Sequence, residues 1–259
     1  MIKKSSIFYL CFLCWLSGCS AFQASKLIAP TTFGLGQLSS NIYVESGADH
    51  ATRMKLQKDV AKAQSEIVAT FGSAQSVPIV HACVTEGCYR QFGGYGSIAK
   101  VYGRRILLSP RGLSWQFLAH EWSHTEMSER LTFLAWRRMP QWFDEGLAVA
   151  VSQAPEHSEE HWQFLIDSNT PHPSRNELIT YRTLNEWLAA VMKFGEPENP
   201  QRKARGEPEI RPVYAAAGHE VRLWLAKART SGLMVFIDRL NHGDDFDQAY
   251  RSVPENTAR

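Results

Sequence analysis

His120-Glu121-Trp122-Ser123-His124, followed sixteen residues later by a segment opening Pro140-Gln141-Trp142-Phe143-Asp144-Glu145-Gly146-Leu147-Ala148, decides how this chain is read. On a helix, positions i and i+4 stack on one face, so two imidazoles four residues apart can approach one ion. The expected Zn–N distance is about 2.0–2.1 Å. Glu121, beside the first imidazole, can reach a water on that ion without ligating it. Zinc draws the water's pKa towards ~7, and the carboxylate removes and later returns a proton. Phe117, Leu118 and Trp122 make this helix apolar, and a buried carboxylate without a partner is expensive. Ser114 is placed to cap a helix running to about residue 130. Pro140 is placed in the first turn of a second helix ending near residue 151.

The two segments together resemble the gluzincin metallopeptidases, above all the small peptidase MA-like group. That group pairs HExxH with a second helix reading roughly Trp-Phe-x-Glu-Gly-x-Ala. The resemblance covers directly about thirty residues, and it implies that Glu145 is the third zinc ligand beside His120 and His124. Three protein ligands leave a fourth position for water or substrate, the arrangement of a catalytic rather than a structural zinc. Gly146 and Ala148 are expected to let the second helix pack closely on the first, with Trp142 and Phe143 in the core beside the site.

Gluzincins usually add a Tyr or His that stabilises the oxyanion, and the resemblance implies Tyr214 for this role, ahead of Tyr181 and His219. The interval from Tyr214 to Gly218 is one residue longer than in related aminopeptidases. Val149 stands where thermolysin-like members place an Asp, so Asp144 is read either as orienting a ligand His or as a solvated first-turn acid. The remaining histidines sit in loops or strands without ligand spacing; His157 and His161 are four apart, but in a polar stretch with no third partner, and are read as surface residues. The resemblance implies that the strand at 105–109 is the edge strand along the cleft, offering its backbone to an extended peptide. No Gly-rich exopeptidase motif is present, which favours endopeptidase action. The segment 196–212, rich in proline and charge, is read as an exposed loop: a lid over the cleft or a plain insertion.

Elsewhere, periodicity predicts helices over 49–71, 184–194, 214–228 and 233–240, with a last short element at 246–250. Strands are expected at 77–84 and within 98–109, and loop over 154–176 with a short helix near Trp162. The fold class is therefore α+β: one helix-rich, zincin-like domain over 41–259, with a small sheet preceding the HExxH helix.

The N-terminus is read apart from the fold. Lys3 and Lys4 precede an apolar run, Ile7 to Leu16, too short to span a bilayer. Leu16-Ser17-Gly18-Cys19 resembles a bacterial lipobox, which implies a signal peptide over 1–18, lipid on Cys19 and a tether over 19–40. Ser20 after the cysteine implies the outer membrane, facing the periplasm. Without Lys3 and Lys4, 26 basic residues match 26 acidic ones, and this neutral body argues against nucleic-acid binding. Cys83 and Cys88 are read as a disulfide that export would permit, or as two buried thiols. The expectation is a lipid-anchored zinc endopeptidase of the bacterial envelope acting on peptides or proteins. The alternatives are a zinc-binding envelope protein that does not cleave, or a zinc hydrolase of non-peptide substrates.

Overall fold

The computed structural model describes residues 26–252. The signal, the lipobox and Cys19 lie outside them. The fold is α+β and rich in helix, but its contacts cluster into two compact units where one domain was expected.

The first unit, residues 26–57 and 78–113, holds the sheet. Its strands are β1 (Leu35–Ser39), β2 (Ile42–Glu45), β3 (Ile79–Ala82), β4 (Ala99–Tyr102) and β5 (Arg105–Leu108), in spatial order β1-β2-β3-β5-β4. β2, β3 and β5 run parallel; β1 and β4 close the two edges as antiparallel partners. This corrects the expectation of an edge strand at 105–109. Ile106, Leu107 and Leu108 are all buried, the continuous apolar run of a strand covered on both faces, and β4 takes the edge instead.

The expected tether is also corrected. Pro30–Phe33 forms a 3-10 turn and β1 follows within it, while Leu27 and Leu35 are buried against Cys83, Cys88, Tyr89 and Phe92. The two cysteines are disulfide-bonded. Between them, Glu45 accepts hydrogen bonds from the Val84 and Thr85 backbone and the Thr85 hydroxyl, and Thr85 caps α2 (Glu86–Gln91). His81 is fully buried, its Nε2 3.1 Å from the Leu27 carbonyl and its ring stacked on Tyr43.

Helix α1 (His50–Phe71), capped by Asp49 through Thr52 N, contributes its residues from Lys58 onward to the second unit, which also holds 114–252. There α3 (Trp115–Arg130), α4 (Phe133–Arg138) and α5 (Gln141–Ser152) are followed by α6 (Glu159–Asp167), α7 (Arg175–Leu178), α8 (Leu184–Lys193), α9 (Asn199–Ala204), α10 (Pro212–Asn241) and α11 (Phe246–Arg251). The two helices expected within 214–240 are both present: α10 is kinked at Arg229, whose φ of 54° and ψ of -177° are non-helical, into two helical stretches. Among the described residues, no helix is long and apolar enough to cross a membrane.

One buried carboxylate fixes α3. Glu126, fully buried, accepts from Gln75 N, Ser76 N, Ser76 Oγ and Arg130 Nε at 2.6–2.9 Å, and Trp122 Nε1 donates to the same Ser76 hydroxyl. Because every lone pair has a donor, this network orients the helix without an outstanding desolvation cost.

Helix α5 lies between α3 and α10. A Cβ on Gly146 would stand 2.6 Å from the Ala217 carbonyl oxygen, and one on Gly218 only 2.2 Å from Val149 Cγ1. The close approach therefore runs between α5 and α10, not between α5 and the HExxH helix as expected. Phe143 packs on Trp224 and Phe236, and Trp142 on Phe246. α6 (Glu159–Asp167) is the short helix expected near Trp162. One stretch expected as exposed loop is ordered: within 196–212 Asn199 holds both backbone groups of Ile210 at 2.8 Å, with Glu196, Asn199 and Ile210 buried.

Two outcomes are expected. Gly146→Ala should destabilise the helical unit by about 1–3 kcal/mol in chemical unfolding, since the obstructing atom is backbone. The His81 imidazole is held down to about 4, chiefly by burial, against the usual ~6.5. The unfolded chain therefore takes up a proton that the folded unit refuses. Stability is complete above about pH 6.5 and falls, by on the order of 3 kcal/mol, as pH drops towards 4. Unfolding curves at pH 7 and pH 4.5 should show a loss that is smaller in His81→Gln than in wild type.

Candidate metal centre

Helices α3 and α5 bring three ligand-type side chains together. One nitrogen each of His120 and His124 and one carboxylate oxygen of Glu145 lie within 4.8 Å of one another. Glu145 Oε2 is 3.3 Å from His120 Nε2 and 3.9 Å from His124 Nε2. The two rings stand edge to face, 5.1 Å between centroids, as one helical turn dictates. All three side chains are nearly buried, 10–12% exposed. Glu145 Oε1 accepts from Gln141 Nε2 at 2.9 Å, one turn earlier on α5.

Asp144, the neighbour of Glu145, is buried, and its Oδ2 lies 2.8 Å from His124 Nδ1. Of the two readings left open by the sequence, Asp144 is not a solvated acid: it is buried and bonded to the His124 imidazole. Taking up Nδ1–H leaves Nε2, which faces Glu145, as the donor atom for an ion.

The electrostatics fit a cation. Glu121, Asp144 and Glu145 are three acids gathered around two imidazoles. Burial pushes the Glu121 carboxyl up, partly offset by the two imidazoles. Burial also works against ionised Glu145, but the His120 imidazole 3.3 Å away, the charge of His124 and the hydrogen bond from Gln141 hold its carboxyl below the usual range. His124 goes up to about 10: burial opposes the charge, and Asp144, then Glu145 and Glu121, outweigh it. The group is short of positive charge, and Glu145 Oε2, buried between the two Nε2 atoms, has no well-formed hydrogen bond. Two imidazoles and a carboxylate suit zinc. A second cluster, Glu45 with Cys83 and Cys88, is no such centre, because both sulfurs are in the disulfide.

Tyr214 stands at the start of α10 beside this group. Burial raises its hydroxyl's pKa, and the Glu145 charge raises it further. The other two tyrosine and histidine candidates are engaged elsewhere: Tyr181 donates to Glu177, and His219 pairs with Glu159 and stacks on Trp162.

His157 corrects the sequence reading. It is buried, not a surface residue, with its ring 6.3 Å from that of His120 and stacked on Tyr214 at 5.2 Å. Burial, then the nearby His120, Arg211, His161 and Arg222, hold its pKa well below the ordinary value. No local signal marks it, since it ends a polar, proline-containing stretch just past α5. Comparison of the chain with protein-family models, curated proteins and solved structures finds no match.

Asp144→Asn should leave the fold intact but weaken zinc binding about 10–100-fold, measured by competition with a chromophoric chelator. Unchanged affinity would mean that Asp144 does not act through His124.

Proposed function

We propose that this protein is a zinc-dependent hydrolase with a zincin-like metallopeptidase site, cleaving peptide bonds in the bacterial envelope. The observation that carries the reading is the convergence of His120, His124 and Glu145, with Asp144 bonded to the rear nitrogen of His124. In this reading His120, His124 and Glu145 hold the ion. Zinc there supplies a Lewis acid that polarises the scissile carbonyl and acidifies water.

The chain's own groups do the rest. Glu121 lies among both imidazoles, and its raised pKa makes it a ready proton acceptor, so it takes a proton from the attacking water and returns it to the leaving amine. Asp144 keeps His124 in one tautomer through the cycle. Tyr214, high in pKa and therefore protonated, donates its O–H to the oxyanion that develops on the carbonyl. Endopeptidase action and peptide or protein substrates follow from the sequence resemblance. The lipid anchor on Cys19 and an outer-membrane position facing the periplasm follow from the N-terminal sequence. The Cys83–Cys88 disulfide is in keeping with an oxidising compartment.

The test compares wild type with Glu121→Gln for zinc content and for cleavage of a mixed peptide library. About one zinc per chain is expected in both, with cleavage at least ~100-fold slower in the variant. Absence of zinc from wild type would sink the reading. Zinc without cleavage by wild type would favour the binding protein.

A further inference from the structure

Two aromatic side chains that take no part in the chemistry above hold Tyr214 from two sides. His157 stacks on its ring at 5.2 Å and 20°. The Trp187 ring meets it edge to face at 5.0 Å and 89°. We propose that His157 and Trp187 form an aromatic clamp that aims the Tyr214 hydroxyl at the group formed by His120, His124 and Glu145. Both are positioning residues, and the inference rests on the metallohydrolase reading in which that hydroxyl meets the oxyanion.

Each jaw of the clamp is itself fixed. Gln153, left-handed at φ 49°, ends α5 and turns the chain back. The Ala154 carbonyl then accepts from His157 N at 2.9 Å, and Arg222 Nη1 donates to the His157 carbonyl at 3.2 Å. The imidazole is thereby set with its ring centre 6.3 Å from that of His120 and 5.2 Å from that of Tyr214. Trp187 is 1% exposed on α8, whose first turn is locked by the reciprocal Thr183–Glu186 capping box.

Tyrosine has two rotatable side-chain torsions. Faces packed at right angles restrict both, so the hydroxyl needs no reorganisation when charge develops on substrate. A hydroxyl misplaced by an ångström forfeits much of its effect. His157 Nδ1 and Trp187 Nε1 are both buried without a well-formed hydrogen bond among the described residues, and the Trp187 N–H acts on the Tyr214 hydroxyl, so polar roles for these nitrogens are the rival explanation. The His157 variants decide for that jaw: His157→Phe keeps a flat face and removes both nitrogens, whereas His157→Ala removes the face as well.

The experiment has two readouts on the full chain. In metal-free protein with carbon-13-labelled tyrosine, the Tyr214 ring signal is the one of eight missing from Tyr214→Phe. It should shift in His157→Ala and Trp187→Leu and stay near its wild-type position in His157→Phe. In zinc-loaded protein, kcat should fall about ten-fold or more in His157→Ala and Trp187→Leu, with KM within about two-fold. His157→Phe should recover most of it, and His157→Ala with Tyr214→Phe should be no slower than Tyr214→Phe alone. A Tyr214 signal unmoved by either truncation would overturn the clamp, as would His157→Phe being as slow as His157→Ala. If wild type cleaves nothing, the hydrolase reading fails, and the tyrosine spectrum still decides the clamp.

Discussion

Removing the Glu145 carboxylate from water, against two imidazoles and beside two further acids, is the constraint on which the helical unit depends. An ionised carboxylate in such a place is tolerated only where compensating charge and hydrogen bonds are held ready. Gln141 supplies one bond to Glu145, and Asp144 draws positive charge onto His124. The arrangement is balanced for a divalent cation among His120, His124 and Glu145. It is a local demand with distant consequences, because α3 and α5 must be held in fixed relation for their side chains to meet.

Those relations are built away from the centre. On one side of α3, Glu126 gathers four donors and ties the helix to Ser76. On the far side of α5, Gly146 and Gly218 let α10 approach until no Cβ would fit. This approach also sets the start of α10, where Tyr214 stands, against the helix that carries Glu145. The glycine next to Glu145 therefore bears on where Tyr214 stands as much as on where Glu145 does.

The centre was legible in the sequence because its spacing is local. The i, i+4 histidines fix one face of α3, and the helix ends at residues 130 and 152 follow from patterning over single turns. Asp144 stood as an open choice, since adjacency to Glu145 says nothing about which way a neighbour turns on a helix. His157 was read as surface because its own surroundings in the chain are polar; its burial comes from α10, more than fifty residues on. The same distance hid Glu196 and Asn199 inside an apparently solvated segment. The early strand β1 is hard to tell from a tether in the sequence, because it is short and its pairing with β2 depends on a tight turn. The interior position of β5 is carried by its own pattern: Ile106, Leu107 and Leu108 form the continuous apolar run of a strand covered on both faces.

The central claim is that His120, His124 and Glu145 hold one zinc ion. X-ray absorption at the zinc edge on the purified protein tests it most directly. The account predicts two imidazole nitrogens and a carboxylate oxygen at about 2.0–2.2 Å, with no sulfur in the shell, and loss of the oxygen contribution in Glu145→Ala. A shell containing sulfur at about 2.3 Å, or one unchanged by Glu145→Ala, would contradict it.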